Sequence, residues 1–308
     1  MFSVIFPGQG SQIVGMGKEF YNKYELVKKL FSEADDALNM PLSRIILEGP
    51  KEELNLTTNT QPAIFLISYS IFQVVKKEFN IDLDKADFFA GHSLGEYSAI
   101  ACAGYLDFQN TIKILKIRGN AMQNSMPEGE GGMVAVLGST VENIEKILED
   151  NQNSFKAEIA NDNSEGQIVV SGKTQDLNKL GAFLKENKIK NIKLPVSAPF
   201  HCSLMRKATN IMREELGKLD FSKGRNPLIS NITANEIFNT EELKELLIKQ
   251  IENRVRWRES VINMIQRGVN QFIEIGPGKV LSGLVKRINK DAEVSSINTE
   301  DDIKSIKI

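Results

Sequence analysis

Cysteine is scarce in this chain. Its two cysteines, Cys102 and Cys202, lie far apart and form no CxxC pair. That spacing argues against a disulfide framework or a zinc site, and a reducing cytoplasm is the simplest setting. An excess of charge of one sign is missing as well. The 38 Lys and Arg face 40 Asp and Glu, so the formal net charge is −2. No global attraction to nucleic acid follows from that balance. Long apolar runs are absent too: the longest, Ala63 to Val75, is interrupted by Ser68, Ser70 and Gln73. It is too short and too polar to span a membrane. Met1–Phe6 lacks the basic region that opens a signal peptide. No internal repeat or low-complexity tract stands out. Histidine is limited to His92 and His201, which leaves few candidates for a general base.

What is present reads as a soluble globular protein, with 41% hydrophobic and 25% charged residues. Strand-like and helical segments alternate through most of the chain, which predicts an α/β fold with a parallel sheet. Strands are predicted at 2–6, 88–90, 228–231 and 271–275. Helices are predicted at 18–38, 62–79, from Asp107 to about Gln123, and at 203–217, 241–253, 258–267 and 279–288. Pro62 is placed in a first helical turn, where its missing N–H costs nothing. Residues 128–195 read as a separate unit. It opens on Glu128-Gly129-Glu130-Gly131-Gly132 and continues strand, helix, strand, strand, helix, strand. That βαββαβ order predicts a ferredoxin-like domain inserted into a larger body formed by 1–127 and 196–308.

The most informative segment is Gly91-His92-Ser93-Leu94-Gly95. Apolar residues 86–90 precede it, and helix formers 96–103 follow. Strand, sharp turn and helix are the context of a nucleophile elbow, with Ser93 at its tip. The bland alternative is a Gly-Ser turn capping a helix. A serine needs a base near neutrality. His92 adjoins Ser93 and should point away from it, packing at the turn or bonding a nearby loop. His201, in the proline-bounded loop Pro195–Ser203, is the candidate base by elimination. No carboxylate advertises itself as a third member; Glu274, before Gly276-Pro277-Gly278, is one possibility, and a solvated loop acid is another.

Arg118 lies on the apolar stripe Phe108, Ile112, Leu115 of its helix. A guanidinium facing the protein body needs partners: a structural acid, a snorkelling position, or a substrate carboxylate. Gln250 follows Leu243 at i+7 on another apolar face and needs a buried partner. The loop Phe6-Pro7-Gly8-Gln9-Gly10-Ser11-Gln12 follows a strand. Ile13 replaces the third glycine of a dinucleotide loop, and Met16 stands where a P-loop needs lysine. A tight loop able to aim N–H groups at an oxyanion remains.

In chain order these pieces are FPGQGSQ (6–12), TQPAI (60–64), GHSLGEYSA (91–99), RG (118–119), GGMVAVLG (131–138), APFHCSLM (198–205), NITA (231–234) and EIGPGKVLSGL (274–284). Together they resemble the malonyl-CoA:acyl carrier protein transacylases of bacterial type II fatty acid synthesis, over nearly the whole length. The resemblance implies a hydrolase-like large domain and a ferredoxin-like small one. It also implies ping-pong acyl transfer through a malonyl-serine at Ser93, with His201 as base. A main-chain carbonyl at Gln250 would steer the histidine, and Glu274 then loses its candidacy. The N–H groups of Gln9 and Leu94 would form the oxyanion hole, and Arg118 would grip the malonyl carboxylate. Phe200 would crowd a methyl on the malonyl α-carbon. The resemblance further implies malonyl-CoA and holo acyl carrier protein as partners, and no metal or other cofactor. A cytoplasmic monomer that uses neither membrane nor nucleic acid is expected. Because the carrier is acidic, Arg254, Arg256 and Arg258, or Lys286, Arg287 and Lys290, are candidate docking clusters. A serine hydrolase and a non-catalytic carrier-binding protein are the rival expectations.

Overall fold

The computed structural model describes residues 1–196 and 198–306. Ser197 of the His201 loop and residues 307–308 at the end of the predicted large body lie outside the described residues. The chain opens with β1 (Phe2–Phe6), followed by α1 (Lys18–Lys23), α2 (Glu25–Leu38), α3 (Leu42–Glu48), α4 (Lys51–Asn55) and α5 (Thr57–Lys77). Next come β2 (Phe88–Gly91), α6 (Leu94–Ala103) and α7 (Phe108–Gln123). An excursion follows through β3 (Gly131–Leu137), α8 (Val141–Asp150), β4 (Ala157–Ser164), β5 (Gln167–Lys173), α9 (Thr174–Glu186) and β6 (Lys190–Lys193). The chain returns through α10 (Arg206–Gly217), β7 (Leu228–Ile229), β8 (Glu236–Ile237), α11 (Thr240–Gln250) and α12 (Trp257–Gln266). It finishes with β9 (Gln271–Ile275), α13 (Val280–Ile288), β10 (Glu293–Ile297) and α14 (Glu300–Ser305).

Six strands form one sheet in the order β10-β9-β1-β2-β7-β8, parallel except for the β8 edge. The fold is α/β. β1 is apolar apart from Ser3 and buried along its whole length, as a strand covered on both faces must be. One face carries the main core, where Phe89 meets Phe6 and Phe72 edge to face, and Phe72 pins α5 on the sheet. The other face packs Ile5, Trp257, Phe272 and Leu281. The excursion folds into a second, antiparallel sheet, β4-β5-β3-β6. It has its own core, with Val136, Ile144, Ile168 and Leu180 at its centre. No helix among the described residues is long and apolar enough to cross a membrane.

Three differences from the sequence expectation have physical causes. The helix predicted from Pro62 begins at Thr57, so Pro62 lies inside it. The added turn is held by Thr60, whose hydroxyl donates to Leu54 O at 2.6 Å, and by α7. A Cβ on Gly119 of α7 would come within 2.6 Å of Thr57 O. The predicted 18–38 helix is broken at Tyr24, which is extended at φ −116°. The short β8 and the edge strand β10, with Ser295 and Ser296 in its middle, carry too little apolar pattern to be read in advance.

Candidate active site

The sheet register sets Phe6 beside Gly91, so the glycine loop after β1 and the turn after β2 lie together. Ser93 occupies that turn with φ 54° and ψ −111°, a conformation rare for a residue with a side chain. The turn closes because both flanking residues are glycine. A Cβ on Gly91 would come within 2.0 Å of Gly95 O, and one on Gly95 within 2.2 Å of Phe6 O. Gly91→Ala should therefore lower the unfolding free energy by about 3 kcal/mol, measured by urea titration; a variant as stable as the parent would contradict this packing. Asn231 braces the turn from outside. Its Oδ1 accepts from Ser93 N–H at 2.8 Å, and its Nδ2 donates to Gly91 O at 2.7 Å. Leu94 N–H begins α6, where helix geometry offers it no intrahelical acceptor.

His201 comes from the loop before α10, is 4% exposed, and has φ 58°. Its Nε2 stands 2.8 Å from Ser93 Oγ, and its Nδ1 stands 2.7 Å from Gln250 O. A carbonyl can only accept, so Nδ1 carries the proton and Nε2 is free to take one from the serine. Burial, reinforced by the positive charge of Arg118, pushes the imidazole down to about 3, so it is neutral at ordinary pH. The loop is fastened by Ser171 of β5, whose hydroxyl donates to Phe200 O at 2.6 Å. Phe200 itself is buried. His92 points elsewhere, as expected: its Nε2 pairs with Asn163 Oδ1 of β4 at 2.8 Å.

Arg118 is 1% exposed. Its Nη1 donates to Gln61 Oε1 at 2.7 Å, and its Nη2 donates to Gln250 Oε1 at 2.7 Å and to Ser93 Oγ at 3.1 Å. All three acceptors are neutral, and among the described residues the buried Nε–H has no partner. Among the described residues no carboxylate contacts the guanidinium directly. Tyr97 presents its ring 5.4 Å from the guanidinium carbon. Gln250 has the buried partners its position demands. Its Nε2 donates to Ser93 O at 3.0 Å and to Glu96 Oε2 at 2.5 Å, while its carbonyl holds His201.

Gln9 lies in the glycine loop against the elbow, its side chain donating to Thr57 Oγ1 at 3.2 Å. A cavity of about 420 Å³ is lined in part by Leu56, Gln123, Met126 and Lys207. Glu274 is buried, and its two oxygens accept the N–H groups of Leu281 and Ser282 at the start of α13. It is neither solvated nor an orienting acid for His201. The three arginines of the first basic cluster are neutralised: Arg254 pairs with Glu145, Arg256 with Glu259, and Arg258 with Asp162. In the second cluster Arg287 bonds Gln167, and Lys286 reaches Lys290 O. Gln61, Glu96 and Asn231 were given no role from sequence. Each is a polar residue inside a motif quoted above, which is the one signal that could have marked it.

A family profile described as an acyl transferase domain matches residues 3–305. The malonyl CoA-acyl carrier protein transacylase of Bacillus subtilis (strain 168) is 42% identical over 301 residues, covering 97% of this chain and 94% of that protein. The crystal structure of acyl-carrier-protein-S-malonyltransferase from Bartonella henselae superposes with a TM-score of 0.96 at 40% identity, covering 99% and 97% of the two chains. A malonyl-transacylase solved in complex with its holo type II PKS acyl-carrier protein superposes at 0.94, with 35% identity and coverage of 99% and 98%. This chain belongs to the acyl transferase domain family, in the group of the malonyl CoA-acyl carrier protein transacylases.

Proposed function

We propose that this chain moves a malonyl group from malonyl-CoA to the phosphopantetheine thiol of holo acyl carrier protein, through a malonyl ester on Ser93. The observation that carries the proposal is the buried guanidinium of Arg118, bonded only to neutral acceptors and touching the hydroxyl that His201 also holds. A buried cation that no carboxylate contacts directly is built to receive an anion. His201 Nε2 takes the proton of Ser93 Oγ as the oxygen attacks the thioester carbonyl. The oxyanion rests on Gln9 and Leu94 N–H. The thiol of coenzyme A leaves with the proton, and the carrier's thiol then attacks the ester. Pairing of Arg118 with the malonyl carboxylate cancels the charge that depresses His201, which strengthens the base once the right substrate is bound.

In this account the large body, residues 1–127 and 196–308, is hydrolase-like, and 128–195 is a ferredoxin-like insertion. Support comes from the insertion's separate core and its antiparallel order. No metal or further cofactor enters the steps, since both proton transfers run through His201. The protein would work as a cytoplasmic monomer; the carrier as partner is supported by the solved complex of a relative. Steady-state incubation with malonyl-CoA and pantetheine separates this proposal from a hydrolase. Malonyl should appear on the thiol, and its appearance as free malonate would refute transfer.

Phe200 narrows the substrate. It precedes His201 and is packed into the main core, and in this reading the ring crowds a methyl on the malonyl α-carbon. Phe200→Ser should shift the ratio of methylmalonyl to malonyl transfer by about tenfold or more, read from kcat/KM with each thioester. An unchanged ratio would remove Phe200 from this role.

A further inference from the structure

Glu96 is 1% exposed and takes no part in the steps above. It lies in the first turn of α6, and the elbow's neighbours enclose its carboxylate. Oε2 accepts from Gln250 Nε2 at 2.5 Å, and Oε1 accepts from Asn231 N–H at 3.3 Å. The far end of the same Gln250 amide, Oε1, accepts from Arg118 Nη2 at 2.7 Å. The sense of this chain is fixed, because a guanidinium only donates and an ionised carboxylate only accepts. Glu96 and Arg118 are thus linked through one amide, with no direct contact between them. The other acceptors of Arg118, Gln61 Oε1 and Ser93 Oγ, are uncharged.

We propose that Glu96 is the internal counter-charge of Arg118, and that a proton from solvent moves onto its carboxylate when a substrate carboxylate pairs with Arg118. The proposal rests on Arg118 as the partner of the malonyl group. It makes Glu96 a positioning residue that acts through Gln250 and Arg118. A buried pocket with one cation and two carboxylates holds an uncompensated negative charge, and neutralising the acid without a direct ionic partner relieves it. Glu96 is poised for that. Burial pushes its carboxyl up to about 7, opposed by the Gln250 and Asn231 bonds and by the charge of Arg118. When the substrate's anion cancels that charge, the carboxyl rises further.

The other titratable groups around the pocket stay silent near neutrality. His201, on its loop, is held down at about 3, and His92 in the turn is also pushed down by burial. Tyr97, next to Glu96 on α6, is raised by burial, and Cys202 beside His201 is raised to about 12. Among the described residues Arg118 on α7 remains the one cation facing Glu96. The sign follows. The malonyl-bound state holds more protons than the free state, so malonyl binding weakens as pH rises above about 7, by up to tenfold per pH unit for one linked proton. An acetyl donor brings no carboxylate, and its binding does not change over that range.

The experiment uses malonyl and acetyl thioesters of N-acetylcysteamine, which carry no titrating phosphate. Ester formation on Ser93 releases the same neutral thiol from both donors, so a difference in proton balance counts the proton on Glu96. Uptake is followed with an indicator dye in weakly buffered solution, while intact mass reports how much enzyme is loaded. Malonyl loading should take up a proton that acetyl loading does not, and Glu96→Gln should abolish the difference. The rise of KM for the malonyl thioester with pH should also disappear in E96Q. Equal proton balance for both donors in the parent protein, or an E96Q variant that keeps the parent's pH dependence, would overturn the proposal. Should E96Q fail to fold, the parent protein alone decides the matter. The acyl mass on Ser93 tests the functional proposal separately from the proton count.

Discussion

Ser93→Ala should lower kcat for malonyl transfer by about 10⁶-fold and leave no acyl group on the protein. The size follows from the geometry of the elbow. Among the described residues the Ser93 hydroxyl is the one group that contacts both His201 Nε2, at 2.8 Å, and Arg118 Nη2, at 3.1 Å. His201→Ala should fall nearly as far, because nucleophile and base act as a unit. The neutral, Nδ1-protonated imidazole needs no prior deprotonation. Its protonation below about 3 would remove the base, so His201 adds no acid limb to the rate profile near neutrality. A double variant, Ser93→Ala with His201→Ala, no slower than either single variant would mark them as one unit. Stopped-flow or discontinuous thiol assays with purified protein measure each loss. A Ser93→Ala protein that retained transfer within tenfold would contradict the mechanism.

Arg118→Ala should separate donors that Ser93→Ala treats alike. Transfer of malonyl should fall by about 2–5 kcal/mol in kcat/KM, roughly thirtyfold to several thousandfold, the usual cost of removing one partner of a buried charge pair. Acetyl transfer should fall far less, since an acetyl group has no carboxylate for the guanidinium. It also escapes one penalty: without the neighbouring positive charge, His201 is a stronger base. Competition between malonyl-CoA and acetyl-CoA in one reaction, with products counted on the thiol, gives the ratio directly. Equal losses for both donors would take Arg118 out of substrate selection. They would leave it as a brace for Gln61 and Gln250.

The sequence carried the local parts of this site more fully than the long-range ones. Ser93 was legible because a strand, two glycines and a helix are a local pattern, and the turn needs those glycines for contacts as close as 2.0 Å. His201 was legible through scarcity, there being only two histidines to choose from. Arg118 was legible as a charge on an apolar stripe, but its neutral partners were not. Gln61 and Gln250 reach it from residues 57 and 132 positions away. The amide of Gln250 could be placed on a buried face by spacing, whereas its carbonyl bond to His201 came only from resemblance. Glu96 and Asn231 were missed because their contacts across the elbow span 135 residues and more. Tertiary packing also moved the start of α5 to Thr57, overriding the local preference of Pro62. The arginine cluster at 254–258 shows the converse error: three like charges close in sequence are each paired to an acid once folded.

The most direct test of the account is a single-turnover experiment followed by intact mass and peptide mapping. The protein is mixed with malonyl-CoA, quenched, and then in a second sample chased with holo acyl carrier protein before quenching. The account predicts one malonyl group on the peptide that contains Ser93, and its complete transfer to the carrier thiol during the chase. A protein that never gains the malonyl mass, gains it on another residue, or releases it to water during the chase would contradict the account.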